Sequence, residues 1–187
     1  MTLSVETYGA KVLRRVSEPV SKQTRGVRPF IAAMKEAMAD ENGIGLAAPQ
    51  VGRNIRLVVV DTRPSEEVAG ALFSEGEQLL NPLMPVALLN PVVEPVGDQS
   101  SRFTEGCLSI PGIDGEVVRP TRVRLRAKLE DDTDIDVECD GLLARCLQHE
   151  IDHLDGVLFV DRMSALDRVR IGPKLLSLKS LGRSPRS

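Results

Sequence analysis

Apolar and polar positions along the 187-residue chain change period several times, and each change predicts an element. From Pro29 to Glu41, the residues Phe30, Ile31, Met34 and Met38 recur at helical spacing, and Asn42-Gly43 supplies a stop. Leu57 to Val60 is a short uninterrupted apolar run, as in a buried strand. Arg122 to Glu130 alternates, with Val123, Leu125, Ala127 and Leu129 inward and charges outward. After Asp131-Asp132-Thr133 the alternation resumes with Ile135 and Val137 between Asp134, Asp136 and Glu138, and Cys139 extends its apolar face. A basic strand face beside an acidic one predicts an antiparallel hairpin. From Asp140, a capping residue type, the period returns to that of a helix, with Leu143, Leu147, Ile151 and Leu154 in one stripe. The pattern is α+β: antiparallel sheets packed around this central helix, with a further helix towards each end of the chain.

The central helix carries the chemistry. The chain has two histidines, and both fall in His149-Glu150-Ile151-Asp152-His153. Residues four apart share a helix face, so the two imidazoles can bind one metal, with Glu150 at its edge as general base. A catalytic site of this kind needs a third protein ligand and one open position. Phe159 stands where the longer protease motif has its third histidine, and no glutamate follows Glu150. The downstream acids Asp155 and Asp161 read equally well as flanks of the helix end, which turns the search upstream to a thiolate. Cys146 lies on the helix itself and reads as a small packing residue beside the metal, and Cys139 as a core thiol. Cys107 sits among glycines and a proline in Glu105-Gly106-Cys107-Leu108-Ser109-Ile110-Pro111-Gly112, and spacing favours it as the third ligand.

A further segment, Gly43-Ile44-Gly45-Leu46-Ala47-Ala48-Pro49-Gln50, is a poor phosphate loop: it follows a helix, and Pro49 stands where a phosphate-binding helix should start. Its small residues let backbone approach backbone. Gln50 then reads either as an uncharged N–H donor to a developing oxyanion or as a solvated loop residue.

Taken together, GIGLAAPQ from Gly43, EGCLS from Glu105 and HEIDH from His149 resemble the peptide deformylase family, in that family's order. The likeness extends to Tyr8–Arg14, to Gln148 and to Leu154-Asp155-Gly156, and so covers nearly the whole chain. It implies that Cys107, His149 and His153 hold one divalent metal ion, Fe(II) natively, with Zn(II), Ni(II) or Co(II) able to occupy the site. It implies that Glu150 is the general acid/base and that Gln50 and the Leu108 backbone N–H hold the oxyanion. The implied reaction removes the N-formyl group from the initiator formyl-methionine of newly made polypeptides and releases formate. A methionine-like side chain would enter an apolar pocket walled by Ile44, Leu46 and Leu108, with Gly45 and Gly106 in the same loops and Cys146 as a polarisable patch. Arg145, one turn before His149, would guide the peptide backbone or snorkel into solvent. The rival readings are a metal-binding member with impaired catalysis, a metallopeptidase, and a ribosome-binding protein that makes no catalytic use of its metal.

Composition is that of one globular catalytic domain over 1–187, at 42% apolar and 27% charged residues. An odd set of three cysteines, one assigned to metal, argues against a disulfide framework and for a reducing compartment. With no signal-like or membrane-spanning run, and little chain before the first family-like segment, a bacterial-type cytoplasmic protein is expected, with no membrane or DNA partner. Between about 62 and 87 an insertion is expected, carrying the first of two Leu-Leu-Asn-Pro copies (at Leu79 and Leu88), either a surface loop or a flap over the cleft. The net charge of −3 hides an asymmetry: from about 162, seven basic residues and one acid make a tail of +6, leaving −9 elsewhere. These residues (Arg162, Arg168, Arg170, Lys174, Lys179, Arg183, Arg186, against Asp167) form either a solvated helix face or a footprint for ribosomal RNA. Pro173 is expected to interrupt any long helix there.

Overall fold

A computed structural model describes residues 2–21, 26–64 and 73–181. Helix α1 (Val27–Asp40) starts two residues before the proline that was expected to open it. Pro29 is tolerated inside the first turn because the N–H groups there have no intrahelical acceptor to lose. The helix ends before Asn42, whose φ of 53° is the left-handed conformation that stops it. The short strand β1 (Gly45–Ala47) and β2 (Leu57–Val60) follow, paired antiparallel.

Strands β3 (Val86–Pro95), β6 (Val123–Lys128) and β7 (Asp134–Cys139) complete an antiparallel sheet of order β1-β2-β3-β6-β7. Strand β2 is buried on both faces, which explains its lack of alternation. Val58 and Val60 pack towards the helix α3 (Gly141–Leu154), and Leu57 and Val59 towards α1. The β6–β7 hairpin pairs as the charge pattern requires, with Arg124 on Asp136 at 2.6 Å and Lys128 on Asp134 at 2.7 Å. Strands β4 (Ser100–Gly106) and β5 (Asp114–Pro120) form a separate hairpin.

Helix α3 lies between the sheet and that hairpin, and its rows of residues divide the work. Leu143, Leu147, Ile151 and Leu154 are buried against the sheet, as the stripe predicts. Arg145, His149 and Asp152 reach the residues of the β4–β5 hairpin. Asp140 does occupy the N-cap position, but its side chain caps nothing; its backbone N–H instead donates to Ser74 Oγ at 3.3 Å. Ser74 caps the short helix α2 (Glu75–Leu80).

The described part of segment 62–87 is therefore built into the core. Leu80 and Met84 are buried there, α2 packs on β7, and no described residue of the segment lines the cavity described below. The first Leu-Leu-Asn-Pro copy ends α2 and enters a helical turn, while the second lies within β3. Residues 65–72 of the expected insertion lie outside the described residues.

After α4 (Phe159–Arg162), helix α5 (Ala165–Leu181) runs through Pro173 without stopping, against expectation. Ile171 before the proline and Leu175 and Leu178 after it pack on one core cluster, which holds both halves in line despite the missing N–H. Arg168, Arg170, Lys174 and Lys179 are exposed, whereas Arg183 and Arg186 lie outside the described residues. Arg162 is not part of a free basic tail: it belongs to α4, and its guanidinium bonds Asp152. Among the described residues no helix is long and apolar enough to cross a membrane.

Candidate metal centre and cleft

The strand β4 ends in a turn that presents Cys107. The Cys107 carbonyl accepts the Ile110 N–H at 2.9 Å, and Gly112 follows with a φ of 71°. The Tyr8 N–H donates to the Ser109 carbonyl at 2.8 Å, tying the turn to the N-terminal segment. The turn sets Cys107 over α3, where Sγ lies 3.3 Å from His153 Nε2. Ligand atoms of Cys107, His149 and His153 all lie within 4.8 Å of one another. Cys139 and Cys146 are outside this cluster, both buried, with their thiols pushed up by burial.

The histidines differ in their surroundings. His153 is buried, and burial together with the charges of His149 and Arg119 holds it neutral, the form that binds metal. His149 lines the cavity, and its Nδ1 pairs with Glu105 Oε2 at 3.0 Å, leaving Nε2 for a ligand. Burial opposes a proton on His149, but hydrogen bonds to Cys107 and Glu105 and the charge of Glu150 raise its pKa to about 10. That position attracts a cation, and a metal competes there with a proton. The donors, one sulfur and two imidazoles with an adjoining cavity, fit a three-ligand metal site with an open position. Phe159, at the place of the missing third histidine, stacks its ring on His149 at 6.2 Å between centroids.

The cavity has a volume of about 560 Å³ and is walled by Gly43–Gly45, by residues from Phe103–Leu108 and Ile110–Asp114, and by Leu142, Arg145, Cys146, His149 and Glu150 of α3. Glu150 lies in its wall at 4% exposure, and its Oε2 has no hydrogen-bond partner among the described residues. Burial, the largest influence, pushes its pKa up to about 7. Gly45 lies beneath it: a Cβ there would stand 2.4 Å from Glu150 Oε1 and 2.8 Å from Cys146 Sγ. Gln50 is buried, not solvated. Its carbonyl oxygen accepts the Ala47 N–H at 2.8 Å, which turns its NH₂ towards Ser109 Oγ at 3.2 Å and Cys107 Sγ at 3.4 Å.

Of the expected pocket residues, Ile44, Gly45, Gly106, Leu108, Arg145 and Cys146 line the cavity. Leu46 does not. Alternation along β1 sends Gly45 to the cavity and Leu46 to the opposite face, fully buried against α1. Arg145 neither snorkels nor stays free for a ligand backbone. Its guanidinium donates to Glu105 Oε1 at 2.7 Å and to the Ser101 carbonyl at 2.9 Å, and lies over the Phe103 ring.

Sequence reasoning passed over Glu105, Arg119 and Asp152. Arg119 grips both Glu105 oxygens, at 2.7 and 2.9 Å, and also donates to Asp152 at 2.8 Å. Burial pushes the Glu105 carboxyl up, but the hydrogen bonds from His149 and Arg119 outweigh it and hold it well below the usual carboxylate range. Glu105 stood two residues before Cys107 on a strand, a position that offered a signal; Arg119 and Asp152 offered none.

Comparison with known proteins shows the family of the chain. The family model for polypeptide deformylases matches residues 2–169. A peptide deformylase of Chlorobium phaeobacteroides is 42% identical over 178 residues, covering 95% of this chain and 88% of that one. One from Brucella suis is 43% identical over 169 residues, 90% of this chain and 89% of its own. Among solved structures, a peptide deformylase from Ehrlichia chaffeensis superimposes with a TM-score of 0.80 at 34% identity, covering 95% of this chain and 96% of that one. With the family model matching most of its length and relatives above 40% identity over nearly all of it, this chain belongs to the peptide deformylase family.

Proposed function

We propose that this chain removes the N-formyl group from the initiator formyl-methionine of newly made polypeptides by metal-dependent hydrolysis, releasing formate. The observation that carries the reading is Glu150: a buried carboxylate with one oxygen unpartnered among the described residues, placed in a cavity wall beside a sulfur-and-imidazole donor set. Cys107, His149 and His153 would hold the metal, with Fe(II) proposed natively; sulfur and imidazole donors also suit Ni(II), Co(II) or Zn(II). When bound, the metal acidifies water and polarises the formyl oxygen. Glu150 takes a proton from the attacking water as its oxygen joins the formyl carbon. Gln50, oriented by the Ala47 N–H, and the Leu108 N–H donate to the oxygen that becomes negative. The C–N bond then breaks, formate leaves, and Glu150 returns a proton to the departing amine.

Ile44 and Leu108, with Cys146 at the back, suit an unbranched thioether, which fills irregular apolar space. The exposed Arg168, Arg170, Lys174 and Lys179 of α5 support ribosomal RNA as a docking partner, and a formylated nascent substrate supports a bacterial-type cytoplasmic setting. We read 1–187 as a single catalytic domain with an insertion at about 62–87, whose described helix α2 packs on β7. The test is anaerobic formate release from a formyl-methionyl peptide with metal analysis of the same sample. A metal-loaded protein that releases no formate overturns the activity.

A further inference from the structure

Five side chains form one connected run from the cavity wall to the surface. His149 Nδ1 donates to Glu105 Oε2 at 3.0 Å; Arg119 Nε and Nη2 hold the two Glu105 oxygens; Arg119 Nη1 donates to Asp152 Oδ2 at 2.8 Å. Asp152 is then met from its other side by Arg162, whose Nη2 donates to Oδ1 at 2.6 Å and Nε to Oδ2 at 3.1 Å. Arg119 is 4% exposed and the Asp152 side chain 10%, whereas the Arg162 side chain is half exposed, at 49%. Removing one partner of a buried ion pair leaves the remaining charge undercompensated, and Asp152 without Arg162 keeps Arg119 as its partner. Without Arg162, Asp152 competes with Glu105 for Arg119, and the fork that sets Glu105 Oε2 against His149 loosens. A carboxylate on the far nitrogen of a metal-binding histidine fixes its tautomer and ring orientation.

We propose that Asp152 and Arg162 are positioning residues for His149, acting through Arg119 and Glu105, so that a change at the surface weakens metal binding at the cavity. The inference rests on the metal site proposed above. Its sign separates it from plain electrostatics. Removing a positive charge at Arg162 should tighten binding of a dication if charge alone operates, and weaken it if positioning does.

The experiment measures Co(II) affinity by chelator competition and the visible bands of the Co(II) form, on the full chain. Arg162→Gln should bind cobalt roughly three- to tenfold more weakly with shifted bands, below the roughly 10–100-fold scale of a direct partner of a ligand. Asp152→Asn should lose more, and Arg162→Lys, which keeps one contact, should recover part. Arg28→Gln, an exposed charge on α1, should match the parent. For formyl-Met peptide, kcat of Arg162→Gln should fall with KM unchanged. Parent-like or tighter cobalt binding by Arg162→Gln overturns the proposal. So does lower thermal stability with unchanged affinity and bands, which would leave Arg162 a structural ion pair only. A parent protein that binds no cobalt would overturn the metal reading itself, and this inference with it.

Discussion

Replacing Glu150 by glutamine should destroy activity and at the same time stabilise the metal-free protein. Burial lifts the Glu150 carboxyl from 4.5 to about 7. At 1.36 kcal/mol per unit, that is about 3 kcal/mol of disfavour for the charged form in the fold. A carboxyl with a raised folded pKa binds more protons folded than unfolded between these two values. Stability therefore falls as pH rises through the window from 4.5 to about 7, and the full penalty stands above it. Glutamine carries no charge at any pH. The metal-free variant should thus exceed the metal-free parent by up to about 3 kcal/mol near pH 8, with the difference closing below 4.5. For a domain of this size that is roughly 6–12 °C in Tm. The assays are thermal melts of chelator-treated parent and variant at both ends of the range, beside formate release by the metal-loaded forms. Formate release should drop by roughly two to four orders of magnitude with metal still bound, because the base is gone and the ligands remain. Equal melting temperatures near pH 8, or near-normal turnover by a metal-loaded variant, would refute the reasoning.

Cys107→Ser should weaken metal binding, whereas Cys139→Ser and Cys146→Ser, outside the donor cluster, should keep one metal per chain by elemental analysis; unchanged affinity in Cys107→Ser would exclude the thiolate. Gly45→Ala should cut kcat sharply, since its methyl would meet Glu150 Oε1 at 2.4 Å and displace the base; parent-like kcat would show that the cavity wall yields. Formyl-Met peptides should be hydrolysed far faster than formyl-Asp peptides, because an acidic side chain would sit desolvated in the pocket while Arg145 is already committed to Glu105. Comparable kcat/KM values would rule that pocket out.

Local pattern was enough wherever one period dominated. The stripe Leu143, Leu147, Ile151, Leu154 and the alternation from Val123 to Val137 each follow from a single buried face, so the central helix and its hairpin were legible in the chain. The two histidines were legible for the same reason, since four residues on a helix set them on one side. Cys107 was favoured from its turn, and the tertiary structure brings its sulfur to 3.3 Å from His153. What the pattern could not decide was which face of a three-residue strand meets which neighbour. Leu46 was read as a cavity wall and proves to be core, because the residues in β1 alternate between α3 and α1. Pro173 was read as a break from its missing N–H, yet contacts from Ile171, Leu175 and Leu178 on both sides of it carry the helix through. Arg119 stands 33 residues before Asp152 among many other charges, and nothing local links it to Asp152 or Arg162. Their meeting beneath His149 depends on how the β4–β5 hairpin and α4 close around α3, which makes the electrostatics of the candidate metal site a property of the tertiary fold.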